Sequence, residues 1–272
     1  MTMVNVVESR FSGRVSTESA RPGSLPEGAT STLRALRVLD CFTARTPRLT
    51  LSEIARLLRQ PVSSTHRQIR ELCRWGALER GADGRYSIGL HLWEVGSLSP
   101  RSKSLREAAL PFLQDLYAAT HQNVQVAVLD GAHVVYIERI FGHDAPQVIA
   151  RPGARLPFHV TAVGRVLAAH APTPTVARLL ATPMHKLTPY TTVDPNVLRR
   201  EFAEIRLTGH AITSRQVELD LSSVAAPIQV AGQVSAALSI ITREDERATR
   251  RFVPAVVAAA HGVSRMLTAT TG

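Results

Sequence analysis

Hydrophobic residues between positions 31 and 76 recur at a spacing that predicts three short helices. The first helix carries its apolar face from Leu33 to Phe42, and Pro47 ends that segment. Thr50-Leu51-Ser52-Glu53 is a capping box, in which the Thr and Glu side chains satisfy free backbone amides and begin a second helix. Pro61 suits the first turn of a third helix, and Gly76 marks its end.

The outer face of the third predicted helix is polar and basic. At about 100° per residue, hydroxyl and guanidinium groups cluster opposite the apolar face, where only Glu71 is acidic. A short helix, a tight break and a helix with such a face are typical of a helix-turn-helix, whose recognition helix contacts base edges and phosphates. Thr65 also falls on the apolar side, but we include it among the expected contacts. The expected DNA contacts of this helix are Ser63, Ser64, Thr65, His66, Arg67, Arg70 and Arg74.

A short hairpin follows the third helix. Residues 77–80 and 85–88 flank the turn Gly81-Ala82-Asp83-Gly84, which predicts two antiparallel strands. After a recognition helix, this hairpin is a wing, and Arg80 and Arg85 are expected to contact the sugar-phosphate backbone or minor groove. Residues 31–89 are therefore predicted to be a winged helix-turn-helix domain. The alternative is that the charged face is only solvated, as in three-helix units that never contact DNA.

The pattern changes after residue 89. Apolar residues predict a linker helix over residues 90–104, interrupted at Ser99-Pro100. Beyond it, alternating residues predict hairpins near residues 124–140 and 222–241. Antiparallel hairpins enclosing helices predict an α+β domain over residues 105–272. The helices are expected at residues 161–171, 174–181, 195–208 and 244–267. Residues 1–30 lack periodicity, and we expect a disordered leader there.

The charge of the chain indicates anionic partners. Its 272 residues suggest two domains, and 32 Lys and Arg against 22 Asp and Glu give a net charge of +10. The surplus falls in two regions: residues 1–100 carry 14 arginines and 9 acids, and residues 151–200 carry seven basic residues and one acid. The first region coincides with the predicted DNA-binding domain, and the second indicates a small anionic ligand.

Several classes of protein are excluded by the sequence. No apolar run approaches the ~20 residues of a membrane span, and the N-terminus has no signal-peptide core. We therefore expect a cytoplasmic protein with no membrane contact, in which Cys41 and Cys73 are buried free thiols. No nucleophile elbow, dinucleotide motif, phosphate loop or paired metal ligands occur, so no enzyme, cofactor or metal is expected. A hydrolase that uses Ser223 with His159 is the rival interpretation.

Several separate motifs resemble the IclR family of bacterial transcriptional regulators. In the first half they are Arg34-Ala-Leu-Arg-Val-Leu39, Leu51-Ser-Glu-Ile-Ala-Arg56, Ser64-Thr-His-Arg67 and Gly84-Arg-Tyr-Ser-Ile-Gly-Leu90. In the second half they are Asp130-Gly-Ala-His-Val-Val-Tyr136, Gly153-Ala-Arg-Leu-Pro157, Thr161-Ala-Val-Gly-Arg-Val-Leu167 and Val224-Ala-Ala-Pro227. The resemblance implies a GAF-like ligand-sensing and oligomerising C-terminal domain, and a homodimer or dimer of dimers on a pseudo-palindromic double-stranded DNA operator. One departure is Arg59-Gln60, where the family often has Gly-Leu.

An effector site is expected around residues 151–165. A helix that opens at Thr161 offers free amides to an anion, and the Arg fork matches a carboxylate, so Arg155, His159 and Arg165 are candidate contacts of an organic acid. Family positions add Leu156, Thr161, Ala162, Gly164, Thr213, Ser214, Arg215, Ser223 and Ser239. Gly164-Arg-Val-Leu167 is similar to the branch that senses aromatic acids. Two alternatives remain: the arginines are only on the surface, or the second domain only oligomerises and has no polar-lined cavity.

Overall fold

The computed structural model describes residues 30–43, 46–142, 151–243 and 245–271. The chain divides into two compact units, and the division falls between Lys103 and Ser104. The leader predicted for residues 1–30 lies outside the described residues except for Thr30.

The smaller unit is a three-helix bundle with a two-stranded wing. Its elements are α1 (Ser31–Leu36), α2 (Leu51–Leu58), α3 (Val62–Trp75), β1 (Leu78–Arg80), β2 (Tyr86–Ile88) and α4 (Leu90–Ser97). A 3-10 turn, Leu39–Cys41, follows α1. Strands β1 and β2 pair antiparallel, and Leu49 forms an isolated bridge to Tyr86, which attaches the wing to the segment before α2. The predicted winged helix-turn-helix is confirmed.

Local interactions determine where these helices begin and end. The capping box at α2 is complete: Thr50 N donates to Glu53 Oε2 (2.7 Å), and Glu53 N donates to Thr50 Oγ1 (3.3 Å). Gly76 ends α3 at φ 87°, a conformation that glycine adopts without strain. Arg59 ends α2 at φ 54°, where a side chain is strained. Val38, Ile54, Ile69 and Leu78 form the centre of the core.

The larger unit combines one six-stranded sheet with helices on both faces. Its elements are α5 (Pro100–Thr120), which begins in the smaller unit, β3 (Asn123–Asp130), β4 (His133–Ile140), β5 (Arg155–Pro157), α6 (Ala162–Ala169), α7 (Thr173–Ala181), α8 (Pro195–Thr208), β6 (Ala211–Ser214), β7 (Ser222–Val230), β8 (Gln233–Thr242), α9 (Glu246–Thr249) and α10 (Val253–Thr271). The strand order is β5-β4-β3-β8-β7-β6, and every neighbouring pair is antiparallel. The predicted α+β class is confirmed.

The two faces of this sheet pack against different helices. On one face, Val124, Val126 and Ile240 join α5 and α10 in a buried cluster. On the other face, Ala127 and Ala225 join α6, α7 and α8. Side chains alternate between faces along a strand, so Gln125 and Ser239, which are paired in register, both lie on the α6 face.

The closing helices form the outer layer of the α10 face. Within the described residues, the stretch Glu246–Ala269 has the length and apolar composition of a membrane span. Its residues Val256, Ala260 and Val263 are buried in the cluster on that face of the sheet. The face of the helix that carries these residues therefore packs in the domain core.

Candidate functional site

The outer face of α3 presents polar and basic side chains to solvent. Ser63, His66, Arg67, Arg70 and Arg74 are exposed, and Ser64 is half-buried. Thr65 is a correction to the predicted set: it is 0% exposed, and its hydroxyl donates to the Pro61 carbonyl (3.1 Å). A side chain that is buried and bonded to its own helix cannot contact DNA.

One carboxylate on α3 restrains two of its arginines. Glu71 lies 2.6 Å from Arg74 Nη1 and 3.8 Å from Arg70 Nε. Arg67 forms no ion pair with any residue in the described part of the chain, so its guanidinium is available. Of the three arginines, Arg67 is therefore the one best placed to contact a base edge or a phosphate.

The wing arginines have different environments. Arg80 is exposed, and its guanidinium carbon lies 5.7 Å from the centre of the Tyr86 ring. Arg85 Nη1 donates to Glu53 Oε2 (3.1 Å), so this residue joins the wing to the cap of α2. Arg48, which was not predicted, is exposed and lies 3.5 Å from Asp83 at the wing turn. The bridge from Leu49 to Tyr86 holds this segment beside the wing, and the sequence pattern contains no signal for that contact.

The larger unit contains a cleft between the sheet and the N-terminus of α6, with a free volume of about 30 Å³. We call it the effector cleft. Of the predicted residues, Leu156, Thr161, Ala162, Thr213 and Ser223 line it. The other lining residues are Gln125, Tyr136, Val160, Val163, Gln216, Val217, Leu221, Ser222 and Ile241. The cavity is polar-lined in part, which is the feature that a purely oligomerising domain would lack.

Helix α6 directs its N-terminus into the effector cleft. The Thr161 hydroxyl caps the helix by accepting from Gly164 N (3.0 Å). The amides of Ala162 and Val163 belong to the first turn, where no carbonyl of the same helix can accept from them. Amides in this position favour an anion. Gly164 itself is a packing residue, because a Cβ there would overlap the backbone of Phe158.

The predicted arginine contacts are directed elsewhere. Arg155 Nη2 lies 2.7 Å from Asp130 Oδ2. Arg165 is almost fully buried and donates to Glu201 Oε2 (2.7 Å), Gln216 Oε1 (2.7 Å) and the His159 carbonyl (2.9 Å). Among the described residues, no Arg or Lys lines the effector cleft. Neither guanidinium therefore lines the effector cleft, because each already has a carboxylate partner.

Three other predicted residues lie outside the effector cleft. Ser214 accepts from the Ser222 hydroxyl (3.0 Å) and faces a separate polar groove. Arg215 is exposed, and its guanidinium carbon lies 4.2 Å from the centre of the Tyr190 ring. Ser239 is buried on the α6 face of β8, directly opposite Gln125.

Ser223 and His159 are not arranged as a catalytic pair. The Ser223 hydroxyl donates to the Ile240 carbonyl (2.8 Å), and His159 Nε2 lies 3.1 Å from the His185 carbonyl. Burial lowers the pKa of His159, with Arg165 adding to the effect, so the ring is neutral and donates to that carbonyl. In the part of the chain that the structure describes, no group of three or more His, Cys, Asp or Glu residues could hold a metal ion.

Two family sequence patterns match this chain. The pattern of the bacterial transcriptional regulator IclR C-terminal domain matches residues 99–265, and that of the IclR helix-turn-helix domain matches residues 31–82. The chain belongs to the IclR family of bacterial transcriptional regulators. The IclR-family assignment makes the smaller unit the DNA-binding domain and the larger unit the domain that binds a small-molecule effector.

Relatives of known structure and function agree with this IclR-family assignment. The regulator XynR of Escherichia coli is 32% identical over 240 residues, which cover 86% of this chain and 95% of XynR. The Pca regulon regulatory protein of Pseudomonas putida is 29% identical and covers 89% of this chain and 85% of its own length. An IclR homologue from Microbacterium hydrocarbonoxydans, crystallised with 4-hydroxybenzoate, has a TM-score of 0.82, 32% identity and coverage of 88% of this chain and 100% of its own.

Proposed function

We propose that this regulator senses a small organic acid whose carboxylate accepts hydrogen bonds at the N-terminus of α6. The observation that carries the proposal is the pair of first-turn amides, at Ala162 and Val163, that open into an effector cleft with no cationic side chain among the described residues. The Thr161 and Thr213 side chains also line the effector cleft and can complete the anion site. The complex of the Microbacterium homologue with 4-hydroxybenzoate supports an organic acid as the ligand.

On DNA, we propose that the exposed face of α3 enters the major groove and that the wing contacts the backbone. The residues proposed to contact DNA are Ser63, Ser64, His66, Arg67, Arg70, Arg74 and Arg80, with Arg48 added. Arg85 is proposed to position the wing through Glu53. Effector binding would change DNA affinity only if the acid binds unequally to the arrangement of the protein that is competent to bind DNA and to the one that is not.

We further propose a cytoplasmic, non-catalytic homodimer or dimer of dimers that binds a pseudo-palindromic operator. Helix α4 supports the pairing of subunits, since it leaves Leu90, Trp93 and Val95 exposed, with Trp93 65% exposed. Apolar side chains of this size favour burial against a second chain. Two paired subunits would present two recognition helices to successive major grooves.

The carboxylate assignment is tested by the thermal unfolding of the full chain with matched ligands. We compare 4-hydroxybenzoate with 4-hydroxybenzamide, which has the same shape and no charge. At about 100 times its dissociation constant, a bound ligand stabilises the protein by about 2.7 kcal/mol. We expect the melting temperature to rise with the acid and not with the amide. An equal rise with both ligands would contradict the anion site, and stabilisation by the amide alone would overturn it.

A further inference from the structure

The two edges of the six-stranded sheet differ in how they are protected. At one edge, β5 is three residues long and contains Arg155 and Pro157. Charged residues and proline are common means by which proteins prevent an edge strand from pairing with another segment. At the other edge, β6 has the sequence Ala-Ile-Thr-Ser, without a charge or a proline, and its register with β7 is continuous. The β6 edge can therefore accept a further strand.

The register of β6 shows which of its backbone groups are directed away from the sheet. Arg215 N donates to the Leu221 carbonyl (2.8 Å), so in the antiparallel alternation the first and third residues of β6 bond to β7. The N–H and C=O groups of Ile212 and Ser214 are thus directed outward. Within the described part of the chain, their one partner is Gln216, whose Nε2 donates to the Ser214 carbonyl (3.3 Å).

A groove with a free volume of about 370 Å³ lies along this edge, and we call it the polar groove. All four residues of β6 line it, together with residues of α8 and α9. The edge is therefore recessed between two helices, which admits a single extended segment more readily than the edge of a second folded domain. In strand addition of this kind, main-chain hydrogen bonds supply the affinity.

The charge of the polar groove favours a basic segment. Glu201 of α8 lies 2.7 Å from Arg165, so its charge is balanced. Glu246 of α9 is balanced in the same way by Arg250 (2.7 Å). Glu204 also lines the polar groove, and it forms no ion pair with any residue that the structure describes. Its carboxylate attracts a cationic side chain.

The chain itself contains a segment suited to this edge. Residues 1–29 precede α1 and lie outside the described residues. Residues 3–7, Met-Val-Asn-Val-Val, are rich in the β-branched side chains that favour strands, and Arg10 and Arg14 follow them. Residues 8–29 connect this segment to α1 and can span up to about 70 Å when extended.

We propose that residues 3–7 pair with β6 as a seventh strand of the sheet. The segment is expected to be disordered by itself, and the hydrogen bonds to Ile212 and Ser214 would order it. The basic residues that follow it are opposite in charge to Glu204. The added strand would lie beside Thr213, whose side chain lines the effector cleft.

Hydrogen–deuterium exchange of the full chain, read at single amides, tests the added strand. The variant is Val6→Pro/Val7→Pro, because neighbouring residues of a strand alternate in direction and one of the two prolines removes a bond in either register. We expect the Ile212 and Ser214 amides to exchange at least about tenfold faster in this variant than in the wild type. The Thr213 amide, which bonds to β7, should exchange at the same slow rate in both proteins.

The matched control is Ser16→Pro/Thr17→Pro, which places two prolines in the leader outside residues 3–7. It should exchange like the wild type. Equal exchange in the wild type and in Val6→Pro/Val7→Pro would overturn the proposal, and so would the same acceleration in the control variant. Protection that rises with protein concentration and persists in Val6→Pro/Val7→Pro would show that a second copy covers the edge, which also contradicts the proposal.

Discussion

The Arg165 guanidinium donates a hydrogen bond of 2.7 Å to the Glu201 carboxylate, which joins α6 to α8 beside the effector cleft. The Arg165 side chain is 5% exposed, and it also donates to Gln216 Oε1 and to the His159 carbonyl. Gln216 Oε1 also accepts from Thr192 N (2.9 Å). The ion pair therefore supports the helix whose N-terminus opens into the effector cleft, together with the loop that follows β6.

Removal of one partner from this ion pair should destabilise the larger unit. Glu201→Leu leaves a buried guanidinium without a counter-charge. We expect the free energy of unfolding to fall by about 2–4 kcal/mol, somewhat less than for a fully buried ion pair because Glu201 is partly exposed. Urea denaturation followed by circular dichroism measures it. Glu204→Leu, at an exposed position on α8, serves as the control and should change stability by less than about 0.5 kcal/mol. Equal losses in both variants would show that the pair is not the cause.

Arg67→Ala should weaken DNA binding without unfolding the protein. Its exposed side chain has no acidic partner in the described part of the chain, so the change removes a free cation from the recognition face. We expect weaker binding to a labelled random-sequence duplex and a salt dependence that falls by about one unit of log-log slope if the contact is to a phosphate. Fluorescence anisotropy at several salt concentrations measures both quantities. Arg178→Ala, an exposed arginine on α7, should have no such effect, and unchanged binding by Arg67→Ala would refute the assignment of α3.

Arg59→Gly should stabilise the smaller unit. Arg59 has φ 54°, a left-handed conformation that is unfavourable for a residue with a side chain and free of strain for glycine. We expect a gain of up to about 1 kcal/mol, measured by thermal unfolding. The same substitution at Arg56, an exposed position inside α2, should instead cost about 1 kcal/mol. If both changes destabilise the protein equally, the backbone strain at Arg59 is not energetically significant.

His159 should make stability depend on pH. Burial lowers its pKa below the ordinary value of 6.5, so the unfolded chain binds a proton more readily than the folded one. The free energy of unfolding is therefore not reduced by His159 above about pH 6.5, where the ring is neutral in both states. It falls as the pH drops below that value, because the unfolded chain then takes up a proton that the folded chain does not. Urea midpoints measured between about pH 7.5 and 5 should therefore decline less steeply in His159→Gln. His66→Gln, at an exposed position on α3, is the control and should show the same decline of the urea midpoint with pH as the wild type. A wild-type decline in His159→Gln would show that the His159 ring is protonated in the folded state.

Local features of the fold were predictable because neighbouring residues in the chain determine them. The Thr50–Glu53 cap, the glycine at the end of α3 and the antiparallel hairpins all depend on residues a few positions apart. Thr65 is an instructive exception. The helical pattern puts it on the apolar side of α3, and the structure buries it there with its hydroxyl bonded to the Pro61 carbonyl, so its inclusion among the DNA contacts was wrong. The resemblance to the IclR family also identified the regulator function that the family patterns confirm.

The sequence by itself determined the two-part organisation, the basic recognition helix and the helix that opens at Thr161. Only the tertiary structure decided which charges are free, because the partners of Arg155 and Arg165 lie 25 and 36 residues away. It also brought Gln125 under α6, since alternation along β3 predicts a face of the sheet but not the helix that covers it. The strand order β5-β4-β3-β8-β7-β6 places Gln125 beside Ser239, and that order depends on packing between distant segments.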